Sequence, residues 1–341
     1  MMKKTAIALG IAALACGAQA AEVFKNADTA IEVNVDLQFY NLNIVDTANA
    51  MARNYFQGLG TQLQLKANKM IDADLTVFGQ IEFDPDPVGD NSTVITDDMK
   101  FGLKSKSMGT IQFGQFDSYM EDELMEIANN WAVTGNSGYG LVTEPTASND
   151  GRHIGYNHKI GDFAFGLDFT TSQNAATATD TQNGFAYTGS YTIGGLKLVA
   201  GASTIARYRS DTYALPSVPN KEAKGFGASY ALKSEAGLTK FAFLSATNTS
   251  YSATAAYDGL ETDYNMVSIN HTFGPWNVGV ISSVVSVPAL SSSTTAYDAN
   301  ENGVQVVYDL GKGARLYAAS SNQGLTTSKG NFTEVGFLMS F

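Results

Sequence analysis

Hydrophobicity with a period of two recurs along this chain, and it limits the chain to an all-β fold. In the stretch AIEVNVDLQFY, Ile31, Val33 and Val35 alternate with Glu32 and Asn34. Successive side chains of a strand point to opposite faces, so this pattern predicts a strand with one apolar and one polar face. We predict sixteen such segments, which centre near residues 35, 64, 79, 101, 113, 155, 167, 188, 201, 229, 243, 268, 281, 306, 318 and 337.

Short and long connections alternate between these segments. The short ones are Met70–Asp74, Ser105–Gly109, Ile160–Asp162, Gly194-Gly195, Ser234–Leu238, Gly274-Pro275 and Gly311–Gly313. The long, polar ones cover about 44–58, 85–96, 117–150, 173–182, 207–223, 249–261, 288–301 and 324–331. An even number of strands with tight turns at one end and long loops at the other is typical of an outer-membrane barrel.

Backbone hydrogen bonding explains why such a chain would close. Hydrocarbon offers no partner for amides, so a β-structure in a membrane must leave no edge. Aromatic residues lie near many segment ends, as in a membrane girdle, and glycine (33) and phenylalanine (19) far outnumber proline (7). We predict an all-β, transmembrane, antiparallel up-and-down β-barrel of sixteen strands over residues 21–341. A soluble β-protein with an ordinary hydrophobic core remains an alternative at this point.

Residues 1–20 have the pattern of a cleaved secretory signal peptide. Lys3 and Lys4 precede an apolar run, and Ala18-Gln19-Ala20 forms a cleavage site. Lipidation of Cys16 is an alternative, although Ala13 occupies the position where such signals carry leucine. The net charge of −12 argues against nucleic acid as a partner.

Four stretches resemble the Gram-negative general porin family, whose members are trimeric sixteen-stranded diffusion channels. They are AEVF, KFGLKSKSMGTIQFGQFDSY, GRHIGYNHKIGDFAFGLDF and FTEVGFLMSF. The resemblance implies a homotrimer in the bacterial outer membrane, in contact with outer-membrane lipid and lipopolysaccharide, that passes small hydrophilic solutes. It also implies that the last strand, with Phe337, Met339 and Phe341, is an assembly signal read by the barrel-assembly machinery.

The longest connection, 117–150, resembles the family's third loop, which folds into the lumen and narrows it. Ser118 and Glu121 form a capping box that predicts a short helix. An apolar stripe at helical spacing would pack on the barrel wall; it contains Met120, Leu124, Ile127, Ala128 and Trp131. The candidate constriction acids are Asp117, Glu121, Asp122, Glu123 and Glu126. These acids could instead form an ordinary solvated loop face.

The resemblance implies a ladder of basic residues, mainly arginines, on the wall opposite this loop, and the present chain departs from that pattern. Asn34, Gln62 and Gln115 stand at expected wall positions, and Arg152 alone is retained. Gln115 faces inward only if Gly114 forms a bulge. The other basic candidates are Lys66, Lys100, Lys104 and Arg315. Acids on the loop and few cations on the wall predict a cation preference.

Three other functions are less favoured hypotheses than a general diffusion channel. Trp131 and Tyr119 could form an aromatic surface for sugar rings, which would make the chain a saccharide-selective channel. An outer-membrane enzyme is less favoured, because His153, His158 and His271 are isolated on strands. A non-conducting surface barrel is a third alternative. We expect neither a metal nor a cofactor.

Overall fold

A computed structural model describes residues 21–46, 51–57, 61–85, 94–128, 152–173, 180–209, 219–250, 260–287, 297–324 and 329–340. The strands are β1 (Ala21–Lys25), β2 (Thr29–Asp46), β3 (Met51–Gln57), β4 (Gln62–Met70), β5 (Leu75–Pro85), β6 (Val94–Ser105), β7 (Gly109–Gln115), β8 (Arg152–Ile160), β9 (Phe163–Gln173), β10 (Asp180–Ile193), β11 (Leu196–Arg209), β12 (Pro219–Ser234), β13 (Gly237–Ser250), β14 (Leu260–Phe273), β15 (Trp276–Val287), β16 (Tyr297–Gly311), β17 (Ala314–Gly324) and β18 (Lys329–Ser340). Helix α1 (Tyr119–Glu123) and a 3-10 turn (Met125–Ile127) follow β7. Within these residues, no helix combines the length and the apolar character needed to cross a membrane.

The strands form one closed antiparallel barrel. From β4 to β18 each strand pairs with the next, and β2 joins the ring by pairing with both β4 and β18. The short strand β1 pairs with residues 30–33 of β2 and continues the line of β18, while β3 pairs with residues 40–46 and continues the line of β4. The eighteen described strands therefore occupy sixteen positions, as predicted from the sequence.

Each of the sixteen predicted segments lies in a strand, and two further strands were missed. Strand β3, with the sequence MARNYFQ, falls in a connection that was expected to be loop. Its residues do not alternate, so the sequence carries no signal of a half-buried strand there. Strand β1 has only five residues, too few for a periodic pattern.

The two faces of the sheet are the reverse of those in a soluble sandwich. Apolar side chains such as Phe101 (62% exposed) and Val335 (58%) cover the outer face. Polar side chains such as Gln305 (1% exposed) and Glu334 (6%) lie on the inner face. Inner polar side chains form hydrogen bonds with one another in the space that glycine leaves. Gln305 Nε2 donates to Asn270 Oδ1 at 3.1 Å above Gly279, which lies between them. This inversion is the arrangement expected of a barrel surrounded by lipid.

The short connections predicted from the sequence are the tight turns of one rim. Gly194 and Gly274 have φ of 58° and 53° in two-residue turns. Glycine adopts this left-handed conformation more readily than other residues, which is why these turns were readable from the sequence.

Candidate functional site

The chain between residues 116 and 128 lies on the inner face of the barrel and carries α1. Ser118 is the N-cap, and its Oγ accepts a hydrogen bond from the Glu121 backbone N–H at 3.2 Å, as the capping box predicts. The helix and the 3-10 turn then contact strands β9 to β13. We call residues 116–128 the inner segment.

The apolar stripe of the inner segment packs on the wall. Met120, Leu124, Ile127 and Ala128 are at most 4% exposed, which agrees with the predicted stripe. The part of the wall that faces this stripe contains glycine. A methyl group at Gly227 would lie 2.5 Å from Ile127 Cγ2. The absence of a side chain there lets the stripe approach the backbone of the sheet.

The first helical residue also docks on a glycine. A methyl group at Gly166 would lie 2.3 Å from the Tyr119 ring, so the ring packs directly on the β9 backbone. Burial and the carboxylates of Glu123, Asp122 and Asp168 raise the pKa of Tyr119 to about 12, so its phenol stays protonated.

The start of the inner segment is anchored by two inner-face residues. Asp168 is 2% exposed, and its Oδ2 accepts the Tyr119 backbone N–H at 2.7 Å. Phe116 is fully buried against the His153 ring, with the ring centroids 5.1 Å apart. Gly155 leaves room for both contacts. Alternation with Leu167 and Phe169 puts Asp168 on the polar face of its strand, but the sequence does not reveal this anchoring role.

Asp122 is the most exposed of the predicted acids on the inner segment. Its carboxylate reaches solvent, yet protein surrounds it on most sides. This loss of hydration is the main reason that its pKa rises to about 6. The charge of Lys100 opposes the rise, whereas the carboxylates of Asp98, Glu126 and Glu123 add to it.

Glu123 differs from Asp122 because it has a cationic partner. Lys197 Nζ on β11 lies 2.8 Å from Glu123 Oε2. Lys240 on β13 is half-buried and within electrostatic range of Lys197 and Glu126. Both lysines were missed in the sequence, although Lys197 occupies the polar position of an alternating strand between Leu196 and Leu198.

The inner face of β2, β4, β5 and β6 brings several predicted wall residues together. Asn34 Nδ2 donates to Gln64 Oε1 at 3.1 Å, and Gln64 in turn donates to Glu82. Gln62 is the register partner of Asp36. These contacts make the middle of this wall neutral to acidic.

Two predicted basic residues share one row of the same wall. Lys66 pairs with Gln80, and Gln80 pairs with Lys100. Lys100 Nζ forms an ion pair with Asp98 Oδ2 at 2.8 Å and lies 6.0 Å from the centroid of the Phe116 ring. The positive charge of Lys100 is therefore already balanced locally.

The remaining wall candidates are not grouped at the height of α1. Lys104 and Arg315 lie one residue from short turns, at the rim. Gln115 is opposite the outward-facing Met99, and the β6–β7 register shows no shift through Gly114. Gly114 therefore does not form the bulge that would turn Gln115 inward. Although Gly114 has a φ of 138°, the pairing of β6 with β7 continues without a shift.

Other candidates are described only in part. Arg152 is the first residue of β8, opposite Thr171. Asp117 and Glu121 are half-buried and have partners of their own, so they are less open than Asp122. Trp131 and Phe341 lie outside the described residues. Phe337 and Met339 are the register partners of Phe39 and Leu37 in the β18–β2 pair, which closes the barrel.

The chain is similar in sequence to known porins. The family model described as Gram-negative porin matches residues 5–325. A monosaccharide porin of Halomonas sp is 26% identical over 223 residues, and the match covers 61% of this chain and 61% of that protein. The chain thus aligns with less than two thirds of this relative.

Solved structures share the fold at low identity. The trimer form of OmpT, an outer membrane protein of Vibrio cholerae, has a TM-score of 0.68 at 13% identity, covering 92% of this chain and 100% of that one. An anion-selective porin from Comamonas acidovorans has a TM-score of 0.68 at 14% identity, with coverage of 92% and 100%.

Proposed function

Since this chain belongs to the Gram-negative porin family and resides in the bacterial outer membrane, we propose that it is a passive channel for small hydrophilic solutes and ions that prefers cations. The inner segment would be the constriction, as part of a third loop 117–150 folded into the lumen. Membership of a porin family disfavours the outer-membrane enzyme.

The observation that carries the cation preference is the solvent-exposed carboxylate of Asp122, which lies near lysines that are already paired with other acids. Within the described part of the chain Asp122 has no ion pair, whereas Lys100 is paired with Asp98 and Lys197 with Glu123. A low-dielectric channel focuses the field of its lining charges and concentrates counter-ions. An anion-selective porin has the same fold, so selectivity must come from these side chains rather than from the barrel.

Reversal potentials in a salt gradient test this proposal. Refolded protein in planar bilayers should conduct, with a reversal potential of the sign for cation preference. The preference should weaken with salt, because the Debye length falls from about 10 Å at 0.1 M to about 3 Å at 1 M. An anion-selective potential would refute the charge assignment, and absence of conductance would favour a non-conducting surface barrel.

A saccharide channel is the second candidate, and the monosaccharide porin from Halomonas sp favours it. Trp131 would supply the stacking surface, because one face of the Tyr119 ring is already covered by Gly166. Block of the conductance by saccharides, lost in Trp131→Ala, would support this candidate.

We also propose that the protein is a homotrimer, which the trimer form of the structurally similar OmpT supports. Contacts with lipopolysaccharide and with the barrel-assembly machinery remain proposals from the family. The signal peptide at residues 1–20 and an assembly role for Phe341 likewise stay predictions, since both lie outside the described residues.

A further inference from the structure

The barrel closes where its last strand, β18, pairs with β2. We call this pair the seam. Every other neighbouring pair in the ring of described strands consists of strands that follow one another along the chain, with at most β3 between them. A connecting segment keeps the strands of those pairs close, because the entropy of loop closure grows with the length of chain between them. The seam joins the two ends of the barrel, so the sheet can open there without separating strands that a connection tethers.

Three inner side chains cross the seam region. Tyr317 lies on β17, Glu334 on β18 and Gln38 on β2, and each of them is at most 6% exposed. The Tyr317 hydroxyl donates to Glu334 Oε1 and accepts a hydrogen bond from Gln38 Nε2 at 3.0 Å. This hydroxyl therefore connects β17 to β2, which are 279 residues apart at this point and are not neighbours in the sheet. We call these three residues the seam clasp.

A glycine on β18 allows Tyr317 to reach across that strand. Gly336 is the register partner of Tyr317. A methyl group at Gly336 would lie 2.4 Å from Cζ of the Tyr317 ring and 2.5 Å from its hydroxyl oxygen. A larger residue there would hold the ring away from Gln38, so the seam clasp depends on this glycine.

Strand β2 changes partners on its other edge at the same height. It pairs with β4 up to Asp36 and with β3 from Tyr40 onward. Gln38 lies between these two stretches, and its backbone N–H donates to Thr61 Oγ1 at 3.4 Å. Thr61 directly precedes β4 and is 7% exposed. The seam clasp therefore meets β2 where its backbone pairing passes from one strand to another, and side-chain hydrogen bonds add to the ladder there.

We propose that the seam clasp holds the closed barrel shut, and that opening of the seam is the first step of unfolding. The hydrogen bond from Gln38 to Tyr317 must break before β18 and β2 separate. The bond from Tyr317 to Glu334 joins neighbouring strands that stay paired at that stage. A contact that is lost in the transition state changes the unfolding rate by its full strength, whereas a contact that is still present there leaves the rate unchanged.

Unfolding rates of the folded protein in lipid vesicles test the proposal, followed by tryptophan fluorescence after transfer into urea. Gln38→Ala should raise the rate by about tenfold, which is the effect expected when a buried hydrogen-bonded group is removed. Tyr317→Phe keeps the ring over Gly336 and removes only the hydroxyl, so it should raise the rate by a similar factor.

A matched control lies elsewhere on the inner face. Gln305 is also 1% exposed, and its Nε2 donates to Asn270 Oδ1 at 3.1 Å above a glycine, so it too links two strands that are not neighbours. Strands β14 to β16 stay joined when the seam opens. Gln305→Ala should therefore lower the equilibrium stability but keep the unfolding rate within about twofold of the parent rate.

A disulfide across the seam distinguishes the clasp from a general loss of stability. Val335 and Asn41 are register partners across the seam, and Val306 and Ala318 are register partners across β16 and β17. The oxidised pair Val335→Cys with Asn41→Cys should abolish the effect of Gln38→Ala on the unfolding rate, because the seam can no longer open. The oxidised pair Val306→Cys with Ala318→Cys should leave that effect in place.

Two outcomes would overturn the proposal. The first is an equal rise of the unfolding rate in Gln38→Ala and Gln305→Ala. The second is a rate for Gln38→Ala that the seam disulfide does not change, which would mean that the barrel opens at another place. The inner segment contacts β9 to β13 and not the seam strands. The clasp variants should therefore keep the parent reversal potential, and the channel proposal is tested separately.

Discussion

At the residue scale, two neighbouring acids of α1 differ in charge state because their surroundings differ. Asp122 reaches solvent but is surrounded by protein on most sides, it has no ion pair among the described residues, and its pKa is raised to about 6. Glu123 is held 2.8 Å from Lys197. Under the proposed function, Asp122 therefore contributes a negative charge to the constriction that is lost as the pH falls through about 6.

Asp122→Asn should reduce the cation preference at pH 8, where the parent carboxylate is ionised. A carboxyl group is neutral below its pKa, so the parent preference should fall as the pH drops through about 6. The variant should show little change over that range. Reversal potentials at several pH values measure this effect, with Asp162→Asn in a short turn as the control. An unchanged potential in Asp122→Asn at pH 8 would contradict the assignment.

Lys197→Gln should shift selectivity in the opposite direction. Removing the ammonium leaves Glu123 uncompensated, so the cation preference should increase. An ion pair with partly exposed partners contributes less than about 1 kcal/mol, so folding should not suffer. The double variant Lys197→Gln with Glu123→Gln should return to the parent reversal potential. A failure of the double variant to do so would mean that Lys197 acts on another group.

At the scale of elements, α1 depends on its docking surface. A helix of five residues is far too short to be stable alone in water. Its cap at Ser118, its anchor at Asp168 and the glycine positions of the wall hold it in place. Small residues on β9 and β12 are therefore as important to the site as the acids themselves.

Gly227→Ala should displace the inner segment. The new methyl would lie 2.5 Å from Ile127 Cγ2 and 2.9 Å from the Phe243 carbonyl oxygen. Overpacking of this kind costs about 1–3 kcal/mol, which the segment can relieve by moving off the wall. Single-channel recordings should show altered conductance with more current noise.

The control for this variant is Gly189→Ala, whose methyl would meet its nearest neighbour at an ordinary 3.6 Å. Adding Ile127→Ala to Gly227→Ala should restore the parent conductance in part. If Gly227→Ala and Gly189→Ala behave alike, the proposed docking on Gly227 is wrong.

At the scale of the whole molecule, barrel closure inverts the usual relation between burial and polarity. Neighbouring alanines on β17 illustrate it. Ala318 lies between the outward Val306 and Val335, and Ala319 lies between the inner Gln305 and Glu334. One position faces lipid and the next faces the polar inner side, although both carry the same residue.

Arginine at these two positions should have very different effects. Ala318→Arg places a charge in hydrocarbon and should destabilise the protein by about 2–4 kcal/mol if it lies near the midplane. Ala319→Arg places the guanidinium beside Glu334 and should cost much less. Urea unfolding in lipid vesicles measures both. The reverse order of stability would indicate a soluble protein with a dry interior.

The sequence by itself determined sixteen of the eighteen described strands, the tight turns and the cap of α1. Each of these follows from local rules: alternation of period two, left-handed glycines and the Ser118–Glu121 spacing. The tertiary structure alone decided which inner side chains meet. Lys197 lies 74 positions after Glu123, and Gly227 lies 100 positions after Ile127, so no local pattern links them. Such pairs depend on strand register and closure of the whole sheet, which place distant residues side by side.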